Sequence, residues 1–186
     1  MLQYFMKRLY YTRIIHVVTL LLFTISPAYA IPGKPFLVTE VIDGDTVSIK
    51  VRSFIGIPLK MEQVRLIGID APDLKQEPWG RLTKKHLKKL INDSSWVVNV
   101  ELDMEQRDRH GRLLAYLWTK NGRLINEMML EDGFVFLHAL PPNVKHLEQL
   151  ASAQKMAQLH KRGVWGKDGL KKSPSEWRRE HPKYQE

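Results

Sequence analysis

Five short strand-like segments, one helix after the third and two more at the end predict an α+β domain built on a small β-barrel. Three observations carry that expectation. Apolar and polar residues alternate through Val47–Arg52 and again through Trp96–Asp103, the period of half-buried strands. In "RLTKKHLKKLI" (Arg81–Ile91) the period changes to that of an amphipathic helix. Five strands this short leave edges exposed unless the sheet closes on itself, and a partly open OB-type barrel achieves that closure.

The elements follow in order. "FLVTEVIDGDTVSIKV" (Phe36–Val51) holds two strands joined at Asp43-Gly44-Asp45, and Val64–Ile69 is the third. "APDLKQEPWG" is a loop by its Pro72, Pro78 and Gly80. In the helix that follows, Leu82, His86 and Leu90 share a stripe with Leu87 and Ile91 beside it. Lys84, Lys85, Lys88 and Lys89 lie off that stripe, as a solvated face or a phosphate-tracking surface. Trp96–Asp103 sets Val98, Val100 and Leu102 on one face. Arg112–Ile125 reads as a hairpin, because Asn121-Gly122 is the dipeptide of a type I′ turn. "NEMMLEDG" is a short helix stopped by Gly133. A longer helix spans roughly Asn143–Lys161, and the polar tail from Lys167, with Pro174 and Pro182, is expected to be poorly ordered.

The first thirty residues differ from the rest. Lys7, Arg8 and Arg13 precede the apolar run Ile14–Ile25, and Ala28-Tyr29-Ala30 follows, which together describe a secretory signal peptide. The run is shorter than the ~20 residues that span a bilayer comfortably, so an uncleaved anchor is the weaker reading. Cleavage at Ala30 would remove three basic residues and no acid, lowering the formal charge from +9 to +6. The organisation is then a leader at 1–30, one domain at 31–166 and a tail at 167–186. With no cysteine, an exported chain must rest on its core rather than on disulfides.

Chemistry concentrates in three places. Asp45 sits between two strands, and "VRLIGIDAPD" (Val64–Asp73) carries Arg65, Asp70 and Asp73 in and around an apolar strand. Arg112 follows "DRHG". Taken singly, each has an ordinary reading as a turn or edge residue. Together they form a set: two carboxylates and loop carbonyls suit a hard divalent cation, two arginines suit a phosphate, and a third carboxylate can orient water. Arg65 and Asp70 are five residues apart, so a regular strand would point them to opposite faces. Convergence needs a bend, and Gly68 is the place for it.

"VIDGDTV" (Val41–Val47), "VRLIGIDAPD" and "DRHGRLLAY" (Asp108–Tyr116), in that order with a helix between the last two, resemble the staphylococcal nuclease family. "INEMMLEDGF", "PNVKHLEQLASAQ" and "GVW" extend the likeness to Trp165. The resemblance implies a five-stranded OB-fold barrel with three α-helices and a Ca²⁺-dependent nuclease that cuts DNA and RNA, leaving 3′-phosphate ends. It places Asp45, Asp70 and the Ala71 backbone carbonyl at the metal. Arg65 and Arg112 fall on the scissile phosphate, and Asp73 falls at the general base, where the family typically has glutamate. Arg109 and His110 stand where a terminal nucleotide phosphate is contacted. His138 and Leu140 stand near two nucleotide-pocket tyrosines, which puts base stacking in question. The expected substrate is single-stranded or unpaired nucleic acid, cut by a monomer with no stable protein partner and no membrane attachment after leader cleavage.

Asp73 is the departure with a magnitude. One methylene fewer retracts a carboxylate by ~1.5 Å, enough to break a direct contact of about 2.6–3.2 Å with a water. Three outcomes follow: the 73–80 loop moves inward to compensate, a second water bridges, or activity is reduced unless another carboxylate such as Glu77 helps; as a helix-N-terminal charge Glu77 has a simpler role. Two other readings compete: a non-catalytic nucleic-acid-binding module on the same fold, and a polymer-binding domain attached through the basic N-terminal segment. A degenerate module should have lost a metal aspartate or an arginine, and all four are present. Trp177 beside Arg178 and Arg179 could dock on the barrel or contact nucleic acid.

Overall fold

The computed structural model describes residues 31–51 and 60–182, so the expected leader at 1–30 lies outside the described residues. Within them the chain runs β1 (Lys34–Val41), β2 (Thr46–Val51), β3 (Lys60–Leu66), β4 (Gly68–Asp70), α1 (Trp79–Asp93), β5 (Val97–Arg107) and β6 (Leu113–Thr119). Then come α2 (Ile125–Glu131), β7 (Phe136–His138), α3 (Leu147–Leu159), a 3-10 turn at Gly163–Trp165 and α4 (Pro174–Glu180). Five strands close in the order β1-β2-β3-β6-β5, while β4 and β7 form a separate two-stranded ribbon. This is the OB-type barrel that the sequence predicts. All its pairings are antiparallel except β3 with β6, where Val64 meets Leu113 and Arg65 meets Leu114.

The barrel interior is filled from alternate positions: Val47, Ile49, Val64, Leu66, Val98, Ala115 and Leu117 are inaccessible to water or nearly so. Helix α1 contributes Leu87, Leu90 and Ile91, α2 contributes Ile125, Met129 and Leu130, and α3 contributes Leu150 and Ala153. The core stripe of α1 runs through Thr83 and Leu87 rather than through Leu82, which is exposed, and His86, which is half-buried. His86 instead stacks on Phe134 with ring centres 4.0 Å apart and meets Asp132 at 2.8 Å. Lys85, Lys88 and Lys89 face solvent, and Lys84 is half-buried.

Several expectations need correction. Among the described residues there are four α-helices, not three, because the tail folds into α4, with Ser173 and Glu176 capping each other's backbone amides and Pro174 in the first turn. The Arg112–Ile125 hairpin keeps only its first strand; its second arm is a single bridge between Leu124 and Trp118 before α2 begins. A type I′ turn needs positive φ at both central residues, and only Gly122 has it, at 76°. The long C-terminal helix starts at Leu147 rather than Asn143, because the Asn143 side chain bonds both backbone groups of Glu105 at 2.8 Å.

Along β5 the predicted face holds at Val98 and Val100 but fails beyond them: Leu102 is exposed and Glu101 is buried, next to an irregularity between Leu102 and Arg107. Glu101 accepts hydrogen bonds from Trp118 Nε1 (2.7 Å), Lys145 Nζ (2.5 Å) and His146 Nε2 (2.9 Å). Burial, the largest influence, raises its pKa, but Lys145, His146 and Trp118 outweigh it and hold the carboxyl below its ordinary value of 4.5. A carboxyl depressed in the folded state stabilises the fold fully above its unfolded pKa, and that contribution disappears as pH falls through the folded value. Glu101→Gln should therefore lower the melting temperature at neutral pH, by about 1–3 kcal/mol of stability. In thermal unfolding from neutral pH down to about pH 3, the wild-type and mutant curves should converge in acid. A constant gap across that range would mean that the charge of Glu101 is not what stabilises.

Candidate active site

The site is assembled at one end of the barrel by the β1–β2 turn, the β3–β4 bend and the start of β6. Asp45 ends the turn. Its amide is held by Asp43 Oδ1 at 2.9 Å, and its carbonyl accepts from Leu66 at 2.9 Å, tying the turn to β3. Its carboxylate is buried: Oδ2 accepts from the Ala71 amide at 2.7 Å, and Oδ1 from the Thr46 hydroxyl at 3.1 Å.

Arg65 projects from β3 between the two carboxylates. Nη1 lies 3.1 Å from Asp45 Oδ2, and Nη2 lies 3.4 Å from Asp70 Oδ1. Nη1 also donates to the Leu66 carbonyl at 3.0 Å, which fixes the guanidinium plane. The bend that makes this possible is at Gly68, as predicted, with φ of +78° between β3 and β4. Buried Asn126 holds the bend from beneath: its Nδ2 donates to the Ile67 carbonyl at 2.8 Å, and its Oδ1 accepts from Leu117 at 3.0 Å. Beyond it β4 pairs with β7, Asp70 opposite Phe136 and Gly68 opposite His138, so Asp70 leaves a short, fully paired ribbon.

Asp45 is pushed up to about 7, first by burial; Arg65 pulls it down, Asp43 pushes it up, the Ala71 amide pulls down and Asp70 pushes up. Asp45 and Asp70 are both buried and share Arg65. Their donor set is all oxygen, which suits a hard divalent cation. Among the described residues no group of three or more His, Cys, Asp or Glu could hold a metal, so a cation here would rely on Asp45, Asp70, backbone oxygen and water. The residues fit such an ion with a low ligand charge.

Arg112 stands just before Leu113, the β6 residue that pairs with Val64, and so at the same end of the barrel as Arg65. Asp108 orients it: Oδ2 accepts from Arg112 Nε at 2.8 Å, and Oδ1 accepts from the Arg112 and His110 amides at 3.0 and 2.9 Å. Burial alone would raise the Asp108 pKa, yet Arg112 and these amides bring it below the usual value. Arg109 and His110 occupy the exposed tip of the same turn, Arg109 Nε lying 3.1 Å from His110 Nε2.

Asp73 is half-buried in the loop after β4. Its Oδ1 accepts from the Lys75 amide at 2.8 Å, a bond within its own loop. Glu77 is paired with Arg81 at 2.7 Å. His138 and Leu140 are both exposed, on and just after β7.

Two residues absent from the sequence reading of the site belong to it. Asp108 carried a signal, since an Asp four residues before an Arg across a glycine turn is an Asx-turn pattern. Arg178, on α4, donates from Nη2 to Asp70 Oδ2 at 2.6 Å, across 108 residues of sequence.

The family model described as staphylococcal nuclease homologue matches residues 63–167. The chain belongs to the staphylococcal nuclease family. A thermonuclease of Staphylococcus hyicus is 32% identical over 141 residues, covering 71% of this chain and 76% of that protein. A thermonuclease of Staphylococcus intermedius is 33% identical over 138 residues, covering 72% and 77%. Endonuclease YncB of Bacillus subtilis is 30% identical over 135 residues, covering 69% and 60%. The matched region includes Arg65, Asp70, Asp73 and Arg112; Asp45 precedes it and Arg178 follows it.

Proposed function

We propose that this member of the staphylococcal nuclease family is an exported, Ca²⁺-dependent nuclease. It would hydrolyse phosphodiester bonds of DNA and RNA in single-stranded or unpaired regions and leave 3′-phosphate ends. That it is a phosphodiester-hydrolysing nuclease of metal-dependent type follows from its family. The finer reading is supported chiefly by one observation: Arg65 bridges Asp45 and Asp70 at one barrel end, with Arg112 opening the neighbouring strand. Export rests on the sequence pattern of residues 1–30, and among the described residues no helix is long and apolar enough to cross a membrane. A monomer with no stable protein partner suffices for this chemistry.

A calcium ion held by Asp45, Asp70 and the Ala71 carbonyl would supply positive charge to a phosphate oxygen. The protein's own groups do the rest. Arg65 and Arg112 bind the scissile phosphate and stabilise the charge that grows on its equatorial oxygens during attack. Asp73 takes a proton from water as the water oxygen bonds to phosphorus in line with the departing 5′ oxygen. The P–O5′ bond breaks, the 5′ oxygen acquires a proton, and the phosphate stays on the 3′ side. Arg109 and His110 contact a flanking phosphate.

Cleavage of single-stranded DNA with calcium, abolished by a chelator, is the expected result. Binding without cleavage in calcium would favour the non-catalytic module instead. Asp73→Glu tests the base. The added methylene extends the carboxylate by ~1.5 Å and frees it from the short local turn to Lys75, so the turnover rate should rise several-fold. An unchanged or lower rate would remove Asp73 from the role of base.

A further inference from the structure

The C-terminal segment makes two contacts with the loop that carries the proposed site. The buried Gln76 side chain donates from Nε2 to the Lys172 carbonyl at 2.9 Å, while its own backbone bonds the Asp73 carbonyl (2.8 Å) and the Gly80 amide (3.0 Å). Six residues after Lys172, Arg178 reaches Asp70 Oδ2. Helix α4 is fixed for this by its own capping box and by buried Pro174. The segment thus meets the 70–80 loop at Asp70 and Gln76, although it lies beyond the residues that the family model matches.

We propose that Arg178 is a positioning residue for Asp70, and that segment 172–180 is a strap that sets the site's metal-binding carboxylate. The inference rests on the calcium reading above. The two oxygens of Asp70 are divided between two arginines: Oδ1 faces Arg65 and, across it, Asp45, while Oδ2 faces Arg178. A carboxylate torsion is soft by itself, and a donor on the outer oxygen keeps the inner one turned towards Asp45. Partners of this kind behind a metal ligand change affinity or activity by about 10–100-fold when removed. The positive charge of Arg178 opposes a cation, but its side chain is one-third exposed and its field is screened by water. The hydrogen bond is local and short, so its orienting effect dominates.

The test titrates calcium into the full chain by calorimetry for wild type, R178A and R178K, and follows single-stranded DNA cleavage at saturating calcium. R178A should raise the calcium Kd about 10-fold and lower kcat with little change in KM, while its melting temperature stays near wild type. R178K, which can still donate one hydrogen bond to Oδ2, should recover most of the calcium affinity. Should R178A fold poorly, R178M keeps the apolar stem, removes the donor to Oδ2 and should show the same calcium defect. Unchanged calcium affinity in R178A overturns the proposal. Tighter binding also overturns it, and would make Arg178 a competitor of the cation. If wild type binds calcium and cuts but R178A matches it, only this inference falls; if wild type does neither, the functional reading falls with it.

Discussion

Arg112→Ala is expected to reduce phosphodiester cleavage by about 10²–10³ in kcat, the usual loss when one donor to a developing oxyanion is removed. The fold should survive. The Arg112 side chain is partly exposed, and its contact to Asp108 leaves the backbone bonds of the 108–112 turn in place. Arg112→Lys should fall between, because a lysine restores charge but not the planar fork that grips two phosphate oxygens. Steady-state cleavage of single-stranded DNA with melting temperatures in parallel checks this. A rate within a factor of three of wild type in a folded Arg112→Ala protein would take Arg112 off the phosphate. Arg65→Ala would be a less readable experiment, since it also strips the buried Asp45 and Asp70 of their shared counter-charge.

Gly68→Ala is the second large effect, and it acts through structure. A φ of +78° costs a non-glycine residue about 1–2 kcal/mol. A Cβ built there would also lie 2.5 Å from Leu150 Cδ1, so the buried Leu150 side chain must turn away or the bend must open. Together these should destabilise the fold by roughly 2–4 kcal/mol, read as a lower denaturation midpoint at unchanged slope. Activity should fall further than the loss of folded protein explains, because the bend turns Asp70 towards Arg65. Specific activity per folded molecule equal to wild type would show that the site tolerates a straighter strand.

The parts of this molecule that were legible in the sequence are those whose cause is local. Alternation placed β2 and most of β5, the helical period placed α1, and the five-residue spacing of Arg65 and Asp70 required the bend found at Gly68. Leu102 and Glu101 exchanged faces because the partners that accommodate a buried Glu101, Lys145 and His146, lie more than 40 residues away. The core stripe of α1 shifted to Thr83 because that hydroxyl bonds the Phe134 carbonyl at 3.0 Å, a contact no helical period encodes. In α4 the capping signal Ser173-Pro174-Ser175-Glu176 was present in the chain, but proline content and polarity suggested disorder. What orders it is Asp70 and Gln76, remote in sequence. The proposed site residues were identifiable because their spacing within each motif is short; their grouping into one site was suggested by their chemistry and given an order by family likeness.

The parallel pairing of β3 with β6 also has a consequence in time. Arg65 and Asp70 leave the ribosome early, but Arg112 joins them only when Leu113–Ala115 zips alongside Val64–Leu66 and shuts the barrel. A growing chain therefore holds both carboxylates long before it holds the second arginine, and Arg178 comes later still. The grouping of Arg65, Asp70 and Arg112 is thus completed only as the barrel closes.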